Sequence, residues 1–68
     1  MDINALVDRA LSLHQAGDLA GAEALYRDIL VAGPGLADIH YLLGMAALGQ
    51  GKVAVAIKSM RTAVRLKP

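Results

Sequence analysis

The stretch YLLGMAAL, residues 41–48, constrains the fold most, because its only polar side-chain group is one tyrosine hydroxyl. A helix formed by these residues would be apolar nearly all round, and such a helix needs neighbours on most of its sides. With 68 residues the chain can form one small domain of marginal stability. The neighbours must therefore come from the other short segments or from a partner.

Apolar residues recur every three or four positions in four segments, a spacing that predicts amphipathic helices. The segments are residues 2–16, the stretch from Asp18 to the break at residues 33–35, residues 36–50 and residues 53–66. Asp2 and Asp18 are suitable N-cap residues, and Gly17 ends the first helix. No segment alternates with period two over the length of a strand. The sequence predicts an all-α chain of four short helices.

Several function classes are disfavoured by what the sequence contains. The chain has no cysteine, and it has no run of eighteen apolar residues that could span a membrane. It begins with an acid where a secretory signal carries a positive charge, so we expect a cytoplasmic protein. His14 and His40 fall on different predicted helices, which disfavours a metal site. Ser12 and Ser59 have no nearby base, so we expect no catalysis and no cofactor.

The sequence repeats with a period of 34 residues. An offset of 34 superimposes Gly17 on Gly51, and both glycines fall between predicted helices. It also superimposes Pro34 on Pro68, each after the second helix of a pair. Further identities join Ala20 to Ala54, Ala22 to Ala56 and Arg27 to Arg61. A helix-turn-helix period of 34 is typical of one class of repeat proteins.

On these residues the chain resembles the tetratricopeptide repeat family. In the second half the family's pattern falls on His40, Leu43, Gly44, Ala47, Ala56, Met60 and Pro68, and in the first half on Leu6, Arg9, Ala10, Leu13, Ala22, Tyr26 and Pro34. The resemblance implies two tandem repeats, residues 1–34 and 35–68, which form four antiparallel helices in a short right-handed α-solenoid within a single structural domain. Ala10 with Ala22, and Gly44 with Ala56, are small enough to let paired helices approach closely.

The resemblance implies a protein-interaction module whose first helices line a concave groove. Relatives that bind a partner's terminal carboxylate use Lys and Asn on these helix faces. Val7 and Leu11 stand in those places here, so the groove suits an apolar protein or peptide segment. A second copy, or further residues of a longer protein, could equally cover it. The expected groove residues are Asn4, Val7, Leu11, His14, Gln15, Asp38, Tyr41, Met45 and Leu48.

The last helix has an apolar side without a following repeat to cover it, although a solenoid needs a polar outer face at its end. Self-association, domain swapping or additional repeats would each cover it, so a homo-oligomer or a longer repeat array is expected. The residues of this predicted self-association or next-repeat face are Val53, Ile57, Met60 and Val64.

The charges are unevenly distributed along the chain. Residues 1–38 carry a net charge of −4, whereas residues 39–68 carry +5 and no acid. The bases of the second half lack interleaved aromatic residues, which favours a solvated face over binding to nucleic acid or a membrane surface. The segment around Gly17 also resembles the start of repeat regions that precede bacterial glycosyltransferase-type domains. The alternative function is therefore an N-terminal repeat fragment of a larger enzyme.

Overall fold

The computed structural model describes residues 2–68, so Met1, the first residue of the predicted first repeat, lies outside the described residues. The chain forms four helices: α1 (Ile3–Gln15), α2 (Leu19–Ala32), α3 (Ala37–Gly49) and α4 (Val53–Leu66). These bounds agree with the sequence prediction to within one or two residues at each end. The all-α fold class is confirmed, and residues 2–68 contain no strand.

Local hydrogen bonds account for the start of the first two helices. Asp2 Oδ1 accepts a hydrogen bond from the Asn4 backbone N–H at 3.0 Å, and Asp18 Oδ1 accepts one from the Gly21 N–H at 2.9 Å. Each N-cap of this kind stabilises a helix by about 1 kcal/mol. Leu36 and Lys52 precede α3 and α4 without a side-chain cap, so these helices depend more on packing.

The two interhelical glycines are needed for their backbone conformation. Gly17 has φ of +88° and Gly51 has φ of +79°, and both values lie in the left-handed region that residues with a Cβ rarely adopt. Each glycine follows the first helix of a hairpin and turns the chain back along it. The matching positions in the 34-residue repeat therefore have the same structural role.

Helix α3 lies between α2 and α4, as its apolar composition predicted. It buries Ile39, Leu43, Gly44, Ala46 and Ala47, more positions than any other helix of the described chain. The main core joins residues of the first three helices, which are Ala10, Ala22, Tyr26, Ile29, Ile39, Leu43 and Ala46. Burial on several sides thus explains a helix with almost no polar face.

Small residues set the distance between α3 and α4. A Cβ placed on Gly44 would lie 2.8 Å from Met60 Cγ and 3.2 Å from the Ala56 carbonyl oxygen. Ala56 itself is buried against this contact. The close approach predicted for Gly44 and Ala56 is present in the structure.

The side chains that α4 buries are all small. Its buried residues are Ala56, Ser59 and Ala63. Val53, Ile57 and Val64, which belong to the predicted self-association or next-repeat face, are exposed. Small side chains bring the two helix axes close together, and the large aliphatic side chains are then left beside the contact.

Candidate partner-binding surfaces

A groove of about 580 Å³ opens where the start of α1, the start of α3 and the end of α4 meet. Asn4 and Val7 from α1 line it together with Asp38 from α3, so the structure brings together these three predicted groove residues. The remaining walls include Ile3, Leu42, Leu66 and Lys67. The other predicted groove residues lie outside this opening, and they are Leu11, His14, Gln15, Tyr41, Met45 and Leu48.

Helix α3 carries a row of exposed apolar side chains, Tyr41, Met45 and Leu48, which are 51%, 38% and 48% exposed. Spacings of four and three residues place them on one side of the helix. Tyr41 also lines a smaller groove of about 200 Å³ with Asp38 and Val64, between α3 and α4. At Tyr41 the row therefore adjoins the edge of the last helix.

The outer edge of the second hairpin is also apolar, and we call Val53, Ile57, Met60 and Val64 the end face. Val53, Ile57 and Val64 are 54%, 48% and 65% exposed, and Met60 is half-buried. A shallow groove of about 390 Å³ is lined by Ile57, Met60, Arg61 and Val64. Contiguous exposed apolar surface of this kind marks a contact surface for another protein segment.

Glu23 is buried at the junction of the two hairpins, with a residue exposure of 6%. Its Oε2 accepts hydrogen bonds from Arg27 Nε at 3.2 Å and Arg27 Nη2 at 2.9 Å. Its Oε1 accepts from Gln50 Nε2 at 2.7 Å and Lys52 Nζ at 3.0 Å. Both carboxylate oxygens are therefore satisfied by residues that come from α2 and from the turn between α3 and α4.

These donors favour the ionised carboxylate. The hydrogen bonds from Arg27 and then from Lys52 lower the pKa of Glu23 from 4.5 to about 2, against the opposing effect of burial. Glu23 therefore carries its negative charge throughout the physiological pH range. A buried charge requires such pairing, because an unpaired one would be costly to remove from water.

The two histidines hold local structure together. His14 Nδ1 lies 2.9 Å from the hydroxyl oxygen of Tyr26, which is fully buried, and burial raises the pKa of that phenol. One ring nitrogen of His14 is thus used in the α1–α2 hairpin, whereas the sequence analysis expected this residue to line the groove. His40 Nε2 lies 2.8 Å from the Pro34 carbonyl oxygen and secures the turn before α3.

Sequence reasoning did not identify Glu23, Gln50 or Lys52 as a cluster. A weak signal was present, because Glu23 and Arg27 are four residues apart on a predicted helix and can form an ion pair there. Lys52 belongs to this cluster and not to the outer surface of α4, where Lys58, Arg61 and Arg65 are exposed. In residues 2–68 no helix is both long and apolar enough to cross a membrane.

The comparison with protein-family models gave a match over nearly the whole chain. A model described as Tetratricopeptide repeat matches residues 7–68. The searches of curated proteins and of solved structures gave no match. Proteins of the matched family generally mediate protein–protein interactions. With its four helices and this match, the chain belongs to the tetratricopeptide repeat family.

Proposed function

We propose that the chain is a protein-interaction module that binds an apolar segment of a partner protein along its concave side. The observation that carries the proposal is the exposed row of Tyr41, Met45 and Leu48 on a helix whose other sides are buried. Because packing holds α3 in place, the row is presented on a rigid support. A preorganised surface loses little conformational freedom when it binds.

The polar residues at the borders of this surface support an extended or helical peptide as the bound segment. Asn4, Gln15 and Asp38 are exposed and can form hydrogen bonds with a partner's backbone or side chains, and Asp38 lines a groove with Tyr41. Val7 and Leu11 provide half-buried apolar surface on α1. An apolar segment is favoured over a terminal carboxylate as the bound group, because Val7 and Leu11 provide neither a cation nor a side-chain amide. We also propose that the repeats are residues 1–34 and 35–68.

The proposal can be tested with peptides selected from a random library displayed on phage, using the 68-residue chain as bait. Enriched peptides would be synthesised with a fluorescent label, and their Kd values measured by anisotropy for the wild-type chain and for Met45→Glu. We expect peptides with clustered apolar residues, and a loss of affinity of about tenfold or more in the variant.

Val31→Glu is the matched control, because Val31 is 85% exposed and lies on α2, away from the predicted groove residues. It introduces the same charge at an apolar surface position, and we expect it to leave the Kd values unchanged within about twofold. Failure of the library to enrich any sequence, or an equal loss of affinity in both variants, would contradict binding on the concave side.

A further inference from the structure

The 34-residue repeat means that the same helix-packing surface occurs twice in this chain, once covered and once uncovered. Leu19, Glu23, Tyr26 and Leu30 of α2 correspond to Val53, Ile57, Met60 and Val64 of α4. On α2 this side is covered, because α3 packs against it and Tyr26 and Glu23 are buried. In the second hairpin the corresponding residues form the end face, where Ile57 is half-exposed.

Contacts of α3 with α2 show what kind of segment fits such a surface. Ile39, Leu43 and Ala46 share one core with Tyr26 and Ile29, and Leu42 packs against it. At the end of α3, a Cβ on Gly49 would lie 2.5 Å from Leu19 Cδ1, so the helix lies very close to α2 there. The fitting segment is therefore a helix with aliphatic residues at i, i+3 and i+4 and a small residue at i+7.

The uncovered surface is more apolar than the covered one. Glu23, which needs Gln50 and Lys52 as donors, corresponds to Ile57, and His14 corresponds to Leu48. A helix that covers the end face therefore needs no buried polar group opposite Ile57. Aliphatic packing alone satisfies that position.

The charges beside the end face favour an acidic segment. Arg61 lines the same shallow groove as Ile57 and Val64, and Arg65 adjoins it on the exposed side of α4. Lys67 borders the face near Tyr41. Among residues 2–68 the ion pairs are made by Glu23, so Arg61, Arg65 and Lys67 have no acidic partner. Acidic residues on the covering helix would complement them.

A second copy of the chain fits this surface less well. If two end faces paired, the basic surfaces of two α4 helices would be brought together, and residues 39–68 supply no acid to offset them. If α1 of another copy took the place of a following helix, the positions that match Leu42 and Leu43 would be Asp8 and Arg9. Burial of those two charges against aliphatic side chains is unfavourable.

The geometry points to the end face as a site for an amphipathic helix of a partner protein that carries acidic residues along its borders. The inference does not rest on the concave groove, because Ile57 and Val64 lie outside the predicted groove residues. The helix contributes an aliphatic stripe to Val53, Ile57, Met60 and Val64. Its acids lie beside Arg61, Arg65 and Lys67.

Two synthetic peptides test this inference. Both are based on residues 35–50 and retain Ile39, Leu42, Leu43 and Ala46. Tyr41, Met45 and Leu48 are replaced by glutamate in the acidic probe and by lysine in the basic probe. Binding of each labelled probe to the 68-residue chain would be measured by fluorescence anisotropy. We expect the acidic probe to bind about tenfold more tightly in low salt, and the preference to shrink at about 0.5 M salt.

The double variant Ile57→Ser and Val64→Ser should lose about tenfold or more in affinity for the acidic probe. Val31→Ser is the matched control and should bind the acidic probe with the affinity of the wild type. Circular dichroism should show that all the variants fold. Equal binding of both probes, or unchanged binding to the double variant, would overturn the inference. It would also be overturned by light scattering that shows a dimer of the wild-type chain and a monomer of the double variant, since a second copy would then cover the end face.

Discussion

Lys52 Nζ lies 3.0 Å from Glu23 Oε1, so the turn before α4 is bonded to the second helix of the preceding hairpin. Gln50 Nε2 reaches the same oxygen at 2.7 Å and also lies 3.1 Å from the Ala46 carbonyl oxygen at the end of its own helix. These contacts add directional hydrogen bonds to the apolar packing of α2 and α3. They connect the second hairpin to the first at a defined point, Glu23 Oε1.

Glu23→Gln should lower the free energy of unfolding by about 1–3 kcal/mol at pH 7, because the charged acceptor of Arg27 and Lys52 is lost. The folded-state pKa of Glu23 is about 2, below its ordinary value of 4.5. The contribution of the carboxylate is therefore complete above about pH 4.5 and is lost as the pH falls toward 2. Urea denaturation of both proteins between pH 2 and pH 7 would measure the difference.

We expect the stability difference between the wild type and Glu23→Gln to narrow as the pH falls through this range. Asp28→Asn is the control, since Asp28 is an exposed acid on the same helix, and its effect should stay within about 0.5 kcal/mol. A difference that stays constant from pH 7 to pH 2 would mean that the charge of Glu23 does not stabilise the fold.

Gly44→Ala should destabilise the chain although alanine favours helices over glycine by about 1 kcal/mol. The new Cβ would lie 2.8 Å from Met60 Cγ and 3.2 Å from the Ala56 carbonyl oxygen, and overpacking costs about 1–3 kcal/mol. A double-mutant cycle with Met60→Ala, followed by thermal unfolding, separates the two effects. In the Met60→Ala background the Gly44→Ala change should be less costly, and additive effects would argue against this contact.

Ala22→Leu should lower the free energy of unfolding by about 1–3 kcal/mol, because Ala22 is fully buried in the core of the first hairpin. Ala24→Leu provides the comparison, since Ala24 lies on the same helix and is exposed. Leucine is nearly as good a helix former as alanine, so this second change should have an effect within about 0.5 kcal/mol. Equal melting temperatures for the two variants would contradict the close packing of α1 and α2.

Tyr26→Phe should cost about 0.5–1.5 kcal/mol, because it removes the hydroxyl that lies 2.9 Å from His14 Nδ1. The chain's other tyrosine supplies the control, as Tyr41 is half-exposed and Tyr41→Phe should change stability by less than about 0.5 kcal/mol. Guanidinium denaturation at neutral pH would compare the two. Similar midpoints would show that the buried hydrogen bond has no net effect.

The family and the helix bounds could be predicted from the sequence because their signals are local. An N-cap such as Asp18 bonds to a backbone N–H three residues away, and a turn glycine such as Gly17 is recognisable from its own backbone requirement. The 34-residue repeat then indicates that two similar hairpins follow each other. The exposed row on α3 could also be predicted, because helical spacing places Tyr41, Met45 and Leu48 on one side of the helix.

Only the tertiary structure decided which polar groups meet and which small side chains form the contact between α3 and α4. Glu23 is separated by 27 residues from Gln50 and by 29 from Lys52, and no local pattern links them. Likewise, the apolar stripe of α4 does not by itself reveal that Ser59 and Ala63 are buried. Periodicity defines the sides of a helix, but the distance and rotation between packed helices, which depend on small residues such as Gly44, determine which side is covered.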